Sequence, residues 1–182
     1  MKKEKISRKA LLERMEGITV ALATPQTKQG DLDIKGLDRL IEQVIANGAA
    51  CLFPLGWCGE QPLLADEVRE NVIRRTCKIA KGRVPVMVGV TDTVFPESLR
   101  LAQTAEKAGA AAIVAAPPYY FAPGQPELVE YYTHLANRSP LPLFLYNMPS
   151  HTKVMIDPYT ARMLSEVPNI VADLQQKIPF YR

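Results

Sequence analysis

Leu141-Pro142-Leu143-Phe144-Leu145-Tyr146-Asn147-Met148-Pro149-Ser150 is a short apolar run that breaks off into polar residues and a second proline. Runs of this length and composition form strands buried on both faces, the kind found in parallel sheets. The spacing predicts a strand over 141–146, with Tyr146 where the strand gives way to its loop. In parallel α/β folds that carboxyl edge is where ligands bind. A tyrosine there either relays a proton or packs with its hydroxyl satisfied locally.

Outward from this run, strand and helix signals alternate. Upstream, Gly17–Pro25, Cys51–Leu55, Val84–Val90 and Ala112–Ala116 read as strands. Asp33 caps a helix over Ile34–Asn47 whose inner face is Ile34, Leu37, Leu40, Ile41, Val44 and Ile45, and Gly48 stops it. Asp66 opens a helix to Ala80 with Val68, Val72, Ile73, Cys77 and Ile79 inward; further helices run from Pro96 or Glu97 to Gly109 and over 126–137. Downstream come a helix over 158–166 and a strand beginning at Ile170–Ala172. Such alternation is the signature of right-handed βαβ units. Asn47-Gly48-Ala49-Ala50-Cys51-Leu52-Phe53 resembles Ala108-Gly109-Ala110-Ala111-Ala112-Ile113-Val114. Equivalent joints two units apart favour a barrel of like units. The fold class read from the pattern is α/β of the (β/α)8 TIM-barrel type, present as an incomplete barrel of five to six βα units. An open doubly wound sheet and a barrel completed by another chain are the alternatives, since eight units take about 250 residues. Three regions are expected: a leader over 1–16, solvated and in part a short helix over Ala10–Glu16; a partial barrel over 17–174; and an off-pattern tail over 175–182.

The composition excludes several classes of function. With 182 residues, 47% hydrophobic and 23% charged, the chain reads as an ordinary globular protein. A net charge of +3, concentrated in the first nine residues, gives no footprint for nucleic acid. No run approaches the roughly 20 apolar residues of a membrane span. Cys51, Cys58 and Cys77 make no Cys-x-x-Cys pair, and only His134 and His151 stand ready to join them. Free thiols in a reducing cytoplasm, with no metal and no cofactor, are the expectation.

Three loops at one edge carry groups with chemistry. After the second strand, Gly56-Trp57-Cys58-Gly59-Glu60 holds two glycines three apart, either a plain turn or a backbone that presents its amides to a carboxylate. Pro117-Pro118-Tyr119-Tyr120 follows the fourth strand, and Tyr146 closes the fifth.

These segments, together with Ala21-Leu22-Ala23-Thr24-Pro25, Leu145-Tyr146-Asn147-Met148-Pro149 and Pro168-Asn169-Ile170-Val171, resemble the dihydrodipicolinate synthase / N-acetylneuraminate lyase family of class I pyruvate aldolases. The likeness runs from Gly17 to about Ala172. It implies a lysine at the end of the sixth strand that condenses with pyruvate or another 2-oxo acid, the protonated imine serving as an electron sink. On that template Tyr146 transfers the proton, Tyr120 is its relay partner, and backbone amides near Gly56, Trp57 and Cys58 hold the substrate carboxylate. It also implies a homo-oligomer, relatives being commonly tetrameric.

The sequence departs from the family pattern in four places. Trp57 and Cys58 stand where the family has hydroxyl residues, one of which links the tyrosines; an indole only donates and a thiol bonds weakly. Cys58 as a nucleophile has no histidine near it in sequence. His151 stands where the synthases carry a substrate-binding arginine, and binds a different polar acceptor or lies at the surface. Leu174 occupies the lysine position, and Lys177 lies three residues on, in a segment interrupted by Pro179. A frameshift or premature stop near Ala172 is the expectation from that ending. The readings are a Schiff-base lyase or synthase in an incomplete or diverged copy, or a non-catalytic structural or assembly subunit pairing with a full-length relative. A phosphate-binding open sheet is the weakest, for want of any Gly-x-Gly-x-x-Gly loop.

Overall fold

The computed structural model describes residues 8–175. In chain order the elements are α1 (Arg8–Arg14), β1 (Thr19–Ala21), α2 (Ile34–Ala46), β2 (Cys51–Phe53), α3 (Asp66–Ala80), β3 (Met87–Gly89), α4 (Phe95–Ala108), β4 (Ala112–Ala115), α5 (Gln125–Arg138), β5 (Leu143–Asn147), α6 (Pro149–Thr152), α7 (Pro158–Ser165) and β6 (Ile170–Gln175). Two single 3₁₀ turns, Trp57–Gly59 and Gln61–Leu63, lie between β2 and α3. Five βα units and a sixth strand are thus present among the described residues, in the order of a (β/α) barrel. The chain forms two compact units, one reaching Val88 and including Lys107–Ala111, the other Gly89–Glu106 and Ala112 onward.

In the first unit β1 pairs parallel to β2, Thr19 with Cys51 and Ala21 with Phe53. Leu52 bridges to Val86 at the entry to β3. Asp33 caps α2 as expected, its carboxylate accepting from the Gly36 amide. Leu37 and Ile41 are fully buried, whereas Ile34 is 49% exposed and Leu40, Val44 and Ile45 are only half-buried. The inner face of α3 is rotated from the expected one. Arg69, Thr76 and Ala80 join Val72, Ile73 and Cys77 inside, and Val68 and Ile79 move to the margin. Arg69 can lie there because its guanidinium pairs with Asp66; an unpaired charge would not. α3 begins at Asp66 and ends at Ala80 as expected, with Ala65 at the cap position. Two cross-helix pairs fasten α3 and its exit to α2: Arg75 to Asp38 and Arg83 to Glu42, the latter with both contacts at 2.8 Å. The leader is not wholly solvated, for α1 carries Leu11 and the following Met15 is buried as well.

In the second unit β4, β5 and β6 are consecutive parallel neighbours. Val90, just past β3, donates to the Val114 carbonyl at 2.9 Å. β5 starts at Leu143, two residues later than expected. Pro142 has no amide to give, although its carbonyl accepts from Ile113. The strand runs on through Asn147, so Tyr146 is its penultimate residue. β6 begins at Ile170 as expected and runs to Gln175, with a bulge at its start: Leu143 faces Ile170 and Phe144 faces Ala172. Asn169 explains how that bulge is held. Its side-chain amide donates to the carbonyls of Ala136 and Leu141, and its own carbonyl accepts from Leu143. Tyr132 of α5, fully buried, donates its hydroxyl to the Ala115 carbonyl at 3.2 Å.

The repeated joint seen in the sequence is real. Gly48 and Gly109 both end helices at positive φ, 86° and 90°, and Ala49 and Ala110 that follow them are both buried.

Candidate functional site

Each rim loop follows the carboxyl end of a parallel strand. In the first unit, β2 ends at Phe53 and the chain makes the 3₁₀ turn Trp57–Gly59. Gly56 is required there by contact, since a Cβ on it would lie 2.9 Å from the Phe53 ring. Gly59 is required by close approach, a Cβ meeting the Leu22 carbonyl at 3.1 Å. The hydroxyl of Thr24, one strand over, donates to the Gly59 carbonyl at 2.8 Å and pins the turn. Within the turn the amides of Gly59 and Glu60 serve the carbonyls of Gly56 and Trp57. Trp57 and Cys58 are its first two residues. The Trp57 ring is 52% exposed and the Cys58 thiol is exposed.

In the second unit, the Leu143–Leu145 stretch is buried, Tyr146 is half-buried and Asn147 is buried. Side chains alternate along a strand, so Phe144 and Tyr146 share one face and Asn147 the other. Asn147 anchors the loop that follows: its amide donates to the Ile156 carbonyl at 2.9 Å and its oxygen accepts from the Ile156 amide at 3.1 Å. Thr152 adds bonds to the Met148 and Val154 carbonyls, and Gln125 reaches the Met155 carbonyl and the Asp157 amide.

Tyr146 and Leu174 are register partners across β5 and β6. Register partners in a parallel pair present their side chains to the same face, side by side. The residue beside the phenol is thus a half-buried leucine. Lys177 lies outside the described residues.

Tyr120 follows β4 at positive φ, 79°, and is 87% exposed, stacked edge-on against Phe121 at 5.0 Å. Because β4 and β5 run parallel, Tyr120 and Tyr146 lie toward the same edge of their sheet. His151 sits in α6, a helix absent from the sequence reading, with its Nδ1 2.7 Å from the Ser150 hydroxyl. Thr24 and Asn147 position the site and were not singled out from the sequence. The signal for each was a polar residue directly at the end of an apolar run. Among the described residues no group of three His, Cys, Asp or Glu is placed to hold a metal ion, and no helix is long and apolar enough to cross a membrane.

Comparison with known proteins gives a consistent picture. Residues 14–175 match the dihydrodipicolinate synthetase family. The 4-hydroxy-tetrahydrodipicolinate synthase of Thermotoga maritima is 35% identical over 156 residues, covering 85% of this chain and 53% of its own length. The dihydrodipicolinate synthase structure from Bacteroides thetaiotaomicron is 50% identical with a TM-score of 0.83, over 87% of this chain and 53% of that one. The chloride-inhibited enzyme of Acinetobacter baumannii, solved with pyruvate, is 35% identical with a TM-score of 0.84, over 87% and 55%. The chain spans about half the length of the relatives it matches.

Proposed function

The chain belongs to the dihydrodipicolinate synthetase family, and from that premise we propose that it carries a 2-oxo-acid site of the Schiff-base type from which the imine-forming amine has been lost. The register pairing of Tyr146 with Leu174 carries this reading. It puts the Tyr146 phenol beside Leu174, the position that the resemblance gives to the lysine, and that position holds an alkyl group. In this assignment the Trp57 and Cys58 amides bind the carboxylate of pyruvate or a similar acid. Tyr146 transfers the proton, Tyr120 is its relay partner, and His151 serves a polar group of the acceptor. A Schiff base needs a primary amine to attack that carbon and expel water. Leucine offers none, so the bound acid stays unmodified at this position.

A second reading, a structural or assembly subunit working with a full-length relative in the cytoplasm, is favoured by the same leucine and by the replacement of two hydroxyl residues by Trp57 and Cys58. The two readings part on ligand binding. Ligand-observed NMR with pyruvate should give saturation transfer that is lost in Gly56→Val, where the turn is displaced by the Phe53 ring. Borohydride reduction of the same mixture should leave the mass of the chain unchanged. Absence of any transfer would leave the assembly reading, and a reduced pyruvate adduct on any lysine would overturn the claim that the amine is lost.

A further inference from the structure

β1 with β2, and β4 with β5, pair residue for residue, whereas β5 and β6 fall out of step. Ile170 pairs with Leu143 but Ala172 with Phe144, which leaves Val171 as an extra residue. Ile170 and Val171 are both buried. An extra residue there interrupts the ladder, so something outside the strand has to hold it.

The end of α5 supplies the anchor. A helical carbonyl is met by the amide four residues on, and for Ala136 that residue is Pro140, which has none. Asn169 provides the donor instead: its side-chain amide reaches the Ala136 carbonyl at 2.8 Å and the Leu141 carbonyl at 3.0 Å. Its own carbonyl accepts from the Leu143 amide at 2.8 Å. Side chain and main chain of Asn169 are thus both fixed at the entry to β5. From this fixed point, residues 170–174 of β6 run beside only residues 143–146 of β5.

We infer that Asn169 is a positioning residue: through the bulge it sets position 174, and not position 173, beside the Tyr146 phenol. A slip of one residue turns every following side chain to the other face. In an unbulged β6, Asp173 would be the register partner of Tyr146, and position 174 would pair with Asn147, whose side chain is already bonded to both Ile156 backbone groups. An acid would then stand beside the phenol and repel the carboxylate of a bound 2-oxo acid. Bulges next to active sites serve the same end, re-aiming a side chain. The inference rests on the assignment of Tyr146 and position 174 to one site.

The test reads the register by NMR on the full chain without ligand, through nuclear Overhauser contacts between the Leu174 methyl groups and the Tyr146 ring. The parent is expected to show them. Asn169→Ala should lose them, and deletion of Val171 on top of it should bring them back, because a strand without the extra residue reaches Tyr146 at position 174 with no anchor. A simple loss of stability would not be repaired by a second change in the same strand. Leu37→Ala, which weakens the first unit, should keep the contacts. Should Asn169→Ala fail to fold, the double variant still decides, since it is expected to fold with the contacts present. In a Leu174→Lys chain, adding Asn169→Ala should lower borohydride trapping of pyruvate about a hundredfold. No contact in the parent, contact that survives in folded Asn169→Ala, a double variant without it, or undiminished trapping would overturn the inference. A Leu174→Lys chain that traps nothing while the parent shows the contacts counts against the site assignment alone and leaves the positioning role standing.

Discussion

The three cysteines divide by burial, and their chemistry follows. Burial pushes the thiols of Cys51 and Cys77 up to about 11, because an apolar surrounding disfavours the thiolate. Cys58 is exposed at the head of the rim turn. Alkylation at pH 8 should modify Cys58 alone in the folded chain and all three after denaturation. Fast modification of Cys77 in native buffer would contradict the buried placement of α3. Asn147 makes a different kind of prediction. Replacing it with alanine strips both Ile156 backbone groups of their partner, at about 1–3 kcal/mol for each buried group left unsatisfied. The loss should appear as a lowered urea midpoint together with faster proteolysis within residues 148–157. An unchanged midpoint would mean that the loop is held by other bonds. Neither role was fully legible in the sequence. Tyr146 stood out because a phenol at a strand end has chemistry of its own, whereas Asn147 and Thr24 act through backbone atoms distant in sequence.

Between elements, α2 and α3 are joined by buried apolar residues and by charge. Replacing Leu37 with alanine empties a fully buried site and should cost about 2–5 kcal/mol. The Arg75 guanidinium, hydrogen-bonded to Asp38, holds that carboxyl below its ordinary range. A carboxylate lowered in the folded state stabilises it above the unfolded value of about 3.9, and the contribution fades as pH falls through the folded value. Asp38→Asn should therefore melt lower than the parent at pH 7 and converge with it near pH 2. A constant gap across that range would show that the pair is not the cause. The helices were legible because their periodicity is strong and their ends carry capping signals. Strand ends were not. β1 shrinks from the expected Gly17–Pro25 to Thr19–Ala21, because apolar sequence continues beyond the stretch that is in register with β2. The rotation of α3 was hidden too, since Arg69 is buried by virtue of a partner and not of its own polarity.

At the scale of the whole chain, the order of βα units and the family were readable from motifs laid out in sequence. The register was not, because it depends on the bulge that Asn169 holds at the entry to β6. Only with that bulge do Tyr146 and Leu174 become neighbours. The lost-amine account then reduces to a single substitution. Leu174→Lys restores an amine beside the phenol. Incubated with pyruvate, reduced with borohydride and mapped by mass spectrometry, the variant should carry a pyruvate-derived adduct at position 174 where the parent carries none. A Leu174→Lys chain that folds and melts like the parent yet takes up no adduct would contradict the account.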